Sequence, residues 1–126
     1  MAQERRKNPI DDCPMTAAMA AIGGKWKLTT LWWLNERPHQ FAELRRKVFD
    51  VSPKVMAEQL RELEADGLVR REETGPVPAP VIYSLTDYGR SVMPVVESLR
   101  LWGRGHVERF GGEPLPVPTR LTGRRG

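Results

Sequence analysis

A chain of 126 residues has room for one domain with a modest core and leaves none for a separate catalytic domain. Hydrophobic residues at 40% and charged residues at 29% suit an ordinary globular protein, and no apolar run is long enough to span a membrane. The formal net charge of +4 suits a polyanionic partner, while the single cysteine, Cys13, excludes an intrachain disulfide and a cysteine-rich zinc site.

Residues 1–12, MAQERRKNPIDD, are polar, carry Arg5, Arg6 and Lys7, and lack the apolar centre of a signal peptide. They are expected to form a flexible arm of a cytoplasmic protein. Cys13-Pro14 opens a short helical run to Ile22, with Met15, Met19 and Ile22 at helical spacing, and Gly23-Gly24 stops it. Lys25 to Asn35 is a stronger helix, with Leu28, Leu31 and Trp32 on one face and Trp26, Thr30 and Trp33 roughly on another. Both faces call for burial. The aromatic one is covered either by the N-terminal helix or by a second subunit, so Trp26 and Trp33 stand as dimer-interface candidates. Asn35 to His39 reads as a turn because Pro38 blocks the helix. His39 has no metal-ligand partners at suitable spacing and is expected at the surface.

Phe41 to Gly67 carries the marks of a helix-turn-helix. In its first half Phe41, Leu44 and Val48 recur at helical spacing, with Glu43, Arg45, Arg46 and Lys47 on the other side. Ser52 and Pro53 open the second half as N-cap and first helical residue. Val55, Met56, Leu60 and Leu63 form its apolar stripe, so Lys54, Ala57, Glu58, Arg61 and Ala65 point away from the core, and Gly67 ends the helix. Such a helical corner also occurs in proteins that never touch DNA. The segment after Gly67 favours a nucleic-acid role: Leu68 to Glu73 and Val81 to Leu85 form a β-hairpin around a Gly/Pro tip, the wing of a winged helix. The fold class is therefore mainly α with a small β-hairpin (α+β), a winged helix-turn-helix with added N- and C-terminal dimerisation helices. The DNA-binding candidates are Ser52, Lys54, Ala57, Glu58, Gln59 and Arg61 on the second helix, Arg45 and Arg46 on the first, and Arg70 and Arg71 on the wing.

Thr86 caps a long helix running from Asp87 towards Phe110, bent near its start by Pro94. On it Tyr88, Val92, Val95, Leu99, Trp102 and His106 alternate steps of four and three, the spacing of a helix–helix seam. Val92, Val95, Leu99 and Trp102 are the remaining dimer-interface candidates. The domain spans residues 13–110, and residues 111–126, Gly/Pro-rich, are expected to be a disordered tail.

The motifs Cys13-Pro14, Ile22-Gly23-Gly24-Lys25-Trp26, Phe41-x-x-Leu44-Arg45, Ser52-x-Lys54, Leu60-Arg61-x-Leu63-Glu64-x-Asp66-Gly67-Leu68-Val69 and Tyr83-Ser84-Leu85-Thr86 with Gly89 together resemble the HxlR-type winged-helix transcriptional regulators. The resemblance runs from Cys13 to about Phe110. It implies a cytoplasmic, dimeric, DNA-binding repressor or activator, repression being preferred, with no enzymatic activity and no cofactor. The chain departs from the family pattern at Pro53, Ala57 and Gln59 on the second helix, and at Pro80 and Ile82 on the wing. Some members of the resembled family sense quinones, aldehydes or oxidants through a cysteine at the position of Cys13, which makes that thiol a redox-sensing candidate. The alternatives are a structural thiol and, for the whole chain, a winged-helix protein-interaction module that binds no DNA. No catalytic constellation or metal motif is present in the sequence.

Overall fold

The computed structural model describes residues 12–76 and 80–114. The expected arm and tail lie outside these residues, apart from Asp12 and residues 111–114, as do residues 77–79 of the hairpin tip. The elements in order are α1 (Pro14–Ile22), α2 (Lys27–Glu36), β1 (His39–Gln40), α3 (Phe41–Lys47), α4 (Pro53–Ala65), β2 (Val69–Glu73), β3 (Val81–Leu85), α5 (Asp87–Arg90) and α6 (Met93–Arg109).

Helix ends follow the local chemistry. Ser52 Oγ accepts from the Val55 N–H at 3.1 Å, and Pro53 occupies the first turn of α4, where no N–H is needed. At the other end Gly67 takes a left-handed φ of 79°, which lets Leu68 N reach Leu63 O and Gly67 N reach Glu64 O, so the last carbonyls are satisfied. One apolar core joins α2, the helix pair and the sheet: Leu31, Leu34, Leu44, Val48, Val51, Met56, Leu60, Leu63, Leu68, Val69 and Leu85 are all buried in it.

The sheet has the order β1-β3-β2, with both pairings antiparallel. The hairpin registers Val69 opposite Leu85 and Glu73 opposite Val81. Beyond them, the backbone N–H and hydroxyl of Thr74 both donate to Pro80 O and close the tip. Strand β1 stands where the sequence suggests only a turn. Pro38 disfavours helix at Arg37, whose extended backbone leads directly into the strand; two residues are too few to leave a periodic pattern.

The single helix expected from Asp87 to Phe110 is two helices. Pro94 has no N–H with which to continue the ladder from α5, so the chain turns at Ser91 and Val92, and Pro94 falls in the first turn of α6. Trp26 and Trp33, expected on a surplus face, are half-buried against the chain's own core. Lys25 and Lys47 further cover them, their ammonium groups 4.8 and 4.6 Å from the respective ring centres. Trp32, expected on one face with Leu28 and Leu31, is half-buried and lies under the Arg100 guanidinium at 5.6 Å.

The junction between wing and C-terminal helices is tightly built. Thr86 Oγ1 donates to Gly67 O at 2.6 Å and accepts from Gly89 N at 2.9 Å, while Thr86 N donates to Leu68 O. A Cβ on Gly89 would stand 2.1 Å from Leu68 O, a backbone atom that cannot yield alone. Gly89→Ala is therefore expected to cost roughly 3 kcal/mol and lower Tm by roughly 10 °C or more, measured by thermal unfolding.

Candidate nucleic-acid interface

Met56, Leu60 and Leu63 fasten α4 to the core, which leaves the opposite side of the helix to solvent. Lys54 and Arg61 are both exposed on that side, and neither forms an ion pair with another described residue. Ala57 and Glu58, expected beside them, are half-buried, and Ser52 is exposed at the cap with its oxygen holding the Val55 N–H. Gln59 departs from the expected set. Lying one turn before Glu62 on the flank of the helix, it turns towards the bend between α1 and α2, where its buried Oε1 lies 3.2 Å from the point a Cβ on Gly24 would occupy.

The turn expected between the two helices lies between Lys47 and Pro53. Asp50 adopts a left-handed φ of 66°, tolerated by a short polar side chain, and brings Val51 back into the core. Arg45 braces this turn, its Nε donating to Val51 O at 3.2 Å. Arg46 is exposed on α3. On β2, Arg70 and Arg71 are exposed, but Glu72 and Glu73 follow them directly, and Arg71 lies 3.8 Å from Glu73. The four side chains sum to no net charge, and of the two arginines only Arg71 has an acidic partner among the described residues.

The C-terminal candidates present a different surface. Val95, Leu99 and Trp102 are exposed on α6 and Val92 is half-buried at its start. Exposed Tyr88 and Phe110 lie towards the two ends of this apolar surface, and His106 stacks on Trp102 and meets Phe110 edge-on. Exposed Met15 and Met19 lie on α1, and a groove of about 470 Å³ runs between α1 and the α5–α6 turn, bounded by Ala18, Ile22, Tyr88 and Val92 among others.

Cys13 is the N-cap residue of α1 and is exposed in the single chain. Its thiol pKa is lowered, chiefly by the Thr16 backbone N–H, with the Thr16 hydroxyl and the Met15 N–H adding to the effect. No group of His, Cys, Asp and Glu among the described residues is arranged to hold a metal ion.

Residues 21–110 match the model of the HxlR-like helix-turn-helix family. The chain belongs to that family. An HTH-type transcriptional regulator of Halalkalibacterium halodurans is 44% identical over 95 residues, covering 75% of this chain and 84% of the relative. The regulator YtcD of Bacillus subtilis is 39% identical over 114 residues, covering 90% and 88%. Among solved structures, the oxidised form of the redox regulator HypR is 40% identical, with a TM-score of 0.70 over 74% of this chain and 96% of that one. The reduced form of the B. subtilis regulator YodB is 30% identical, with a TM-score of 0.64 over 73% and 91%. The protein is thus a transcriptional regulator of the helix-turn-helix type with a winged-helix fold, and none of its described helices is long and apolar enough to cross a membrane.

In this HxlR-like domain a histidine expected at the surface instead fastens α3 to the sheet. His39 is buried on β1, opposite Tyr83. Its Nδ1 donates to Arg37 O at 2.7 Å, so Nε2 carries the lone pair and accepts from Lys47 Nζ at 3.2 Å. No local pattern marks this role, because the contacts come from Arg37, Lys47 and a strand invisible to periodicity. Nearby, the Arg37 guanidinium holds the Glu43 carboxyl down at about 2. Burial pushes the His39 pKa below its ordinary value of 6.5, and the Lys47 ammonium acts in the same direction.

The unfolded chain therefore binds a proton that the folded chain resists. The resulting stability is complete above pH 6.5 and declines as pH falls through that value towards the lowered folded pKa. Urea unfolding between about pH 7.5 and 5.5 should show this decline, and His39→Gln should flatten it.

Proposed function

We propose that the protein is a homodimeric, sequence-specific regulator that reads an inverted-repeat operator with α4. The observation that carries this reading is the pairing of a well-anchored apolar stripe with exposed Lys54 and Arg61 on the opposite side of one capped helix. Lys54 and Arg61 approach base edges and phosphates in the major groove, with Ser52, Ala57 and Glu58 beside them, and Arg46 and Arg70 add backbone contacts. Arg45 and Arg71, each already engaged within the chain, contribute less. Repression by occupying promoter DNA is the simplest output of so small a domain.

The apolar surface of Val95, Leu99 and Trp102, continued by Met15 and Met19, favours a second copy as partner. A two-fold axis through it would pair two α4 helices with half-sites one helical turn apart, about 34 Å, or a multiple of that.

Selection of bound fragments from the source genome with purified protein should return inverted repeats. Lys54→Ala and Arg61→Ala should each weaken binding to the recovered duplex by roughly 1 to 3 kcal/mol without changing the circular dichroism spectrum. Leu99→Asp should convert a sedimenting dimer into a monomer with poor operator affinity, because it puts a charge in the apolar contact. Unaltered binding in the Lys54 and Arg61 double variant, or a monomeric wild type with full affinity for one half-site, would rule the arrangement out.

A second reading, a response to oxidants or electrophiles through Cys13, is favoured by the exposed thiol with its lowered pKa and by the likeness to the redox regulator HypR. At neutral pH such a thiol has a larger thiolate fraction, the form that adds to an electrophilic carbon or is oxidised by a peroxide. Methylglyoxal or diamide should then release DNA from the wild type and leave Cys13→Ser bound. Equal release from both proteins would exclude the cysteine as the sensor.

A further inference from the structure

Lys27, in the first turn of α2, is a nearly buried cation. Its side chain is 5% exposed, and its Nζ lies 2.7 Å from Oε1 of Glu62, on the flank of α4. Removing an ammonium group from water is costly, and one ion pair with a half-exposed carboxylate seldom returns more than that cost. An apolar side chain of the same length would fill the space at lower cost. What the pair supplies that a methionine cannot is direction.

The packing of Met56, Leu60 and Leu63 on the core is apolar, and the force behind it is non-directional, so it fixes the rotation of the helix less narrowly than a hydrogen-bonded contact does. An ion pair at hydrogen-bond distance restricts that rotation, because it is satisfied over a narrow range of positions. A second contact on the same flank acts with it. Gln59 reaches Gly24 in the bend between α1 and α2, and Gly24, with a left-handed φ of 95°, presents no Cβ to hold the helix off. Lys27 holds one side of α4 and Gln59 packs beside Gly24 on the same flank, while Lys54 and Arg61 leave from the outer face.

We propose that Lys27 is a positioning residue for DNA reading: through Glu62 it sets the rotation of α4 about its own axis, and hence the direction in which Lys54 and Arg61 approach the base edges. This rests on the reading of α4 as the helix that enters the major groove. Phosphate attraction tolerates a small rotation of the helix, whereas hydrogen bonds to bases do not. The role of Lys27 is therefore in discrimination rather than in general affinity.

The test compares Lys27→Met with wild type, using the duplex recovered from genomic selection and a scrambled duplex of equal length and composition. Lys27→Met is expected to unfold at the same temperature or higher, to bind the selected duplex about tenfold more weakly, and to bind the scrambled duplex unchanged. Glu62→Gln should lower the same ratio, and the double variant should lose no more than Lys27→Met alone. The proposal is overturned if the ratio stays at its wild-type value, if both affinities fall by the same factor, or if Lys27→Met fails to fold, since stability would then be what the pair provides. Lys54→Ala and Arg61→Ala, measured alongside, test the underlying reading separately. If they have no effect, α4 is not the reading helix; if they weaken binding and Lys27→Met does not alter the ratio, only the role of Lys27 falls.

Discussion

Thr86 ties together the three parts that this protein must hold in register. Its hydroxyl spans the end of α4, at Gly67, and the start of α5, at Gly89, and its N–H holds Leu68 at the root of the wing. The arrangement requires two glycines for different reasons. Gly67 supplies a left-handed backbone that lets the helix stop and the strand begin, and Gly89 leaves room for the Leu68 carbonyl. Because α4, the hairpin and the C-terminal helices all meet at this point, these short hydrogen bonds add direction to the apolar packing they share.

That economy matters because the domain is small. Its core is one cluster shared by α2, the helix pair and the sheet, so a change of packing in one element is felt by the others. Polar fixtures therefore recur where apolar packing is insufficiently directional: Ser52 at the start of α4, Arg45 across the turn before it, His39 between α3 and the sheet, and Lys27 on its flank. Each side chain is held at a defined distance, and each lies within or beside the helix pair.

Much of this is legible in the sequence, and the division follows the range of the interactions. Caps and stops are local, so Ser52, Pro53, Gly67 and Thr86 mark their helix ends correctly, and the hairpin is visible from its flanking strands and Gly/Pro tip. Features that depend on distant neighbours are not legible. His39 lacks ligand partners in sequence and reads as a solvent-facing residue, yet β3 and Lys47 enclose it. Gln59 sits beside true outward residues, but the bend at Gly24 captures it. Lys27 resembles any surface lysine until the fold sets Glu62 opposite. Pro94 signals a disturbance in the sequence, and the structure differs in degree, with a break in place of a bend. The surplus aromatic face dissolves for a related reason: lysine stems and ammonium groups cover Trp26 and Trp33, a use of charged residues that a binary apolar pattern cannot register.

The pairing of β1 with β3 gives the fold an order of assembly. The helix pair and the wing hairpin each form from neighbouring segments, whereas His39 meets Tyr83 only after the helix pair and wing between them have come into place. A pairing of only two residues adds little to hold this edge once the rest has formed, so it forms late and opens early. The amide of Gln40 would then exchange with solvent sooner than those of β2 and β3. Local opening is therefore expected to begin at the joint between α3 and the sheet, before the junction at Thr86.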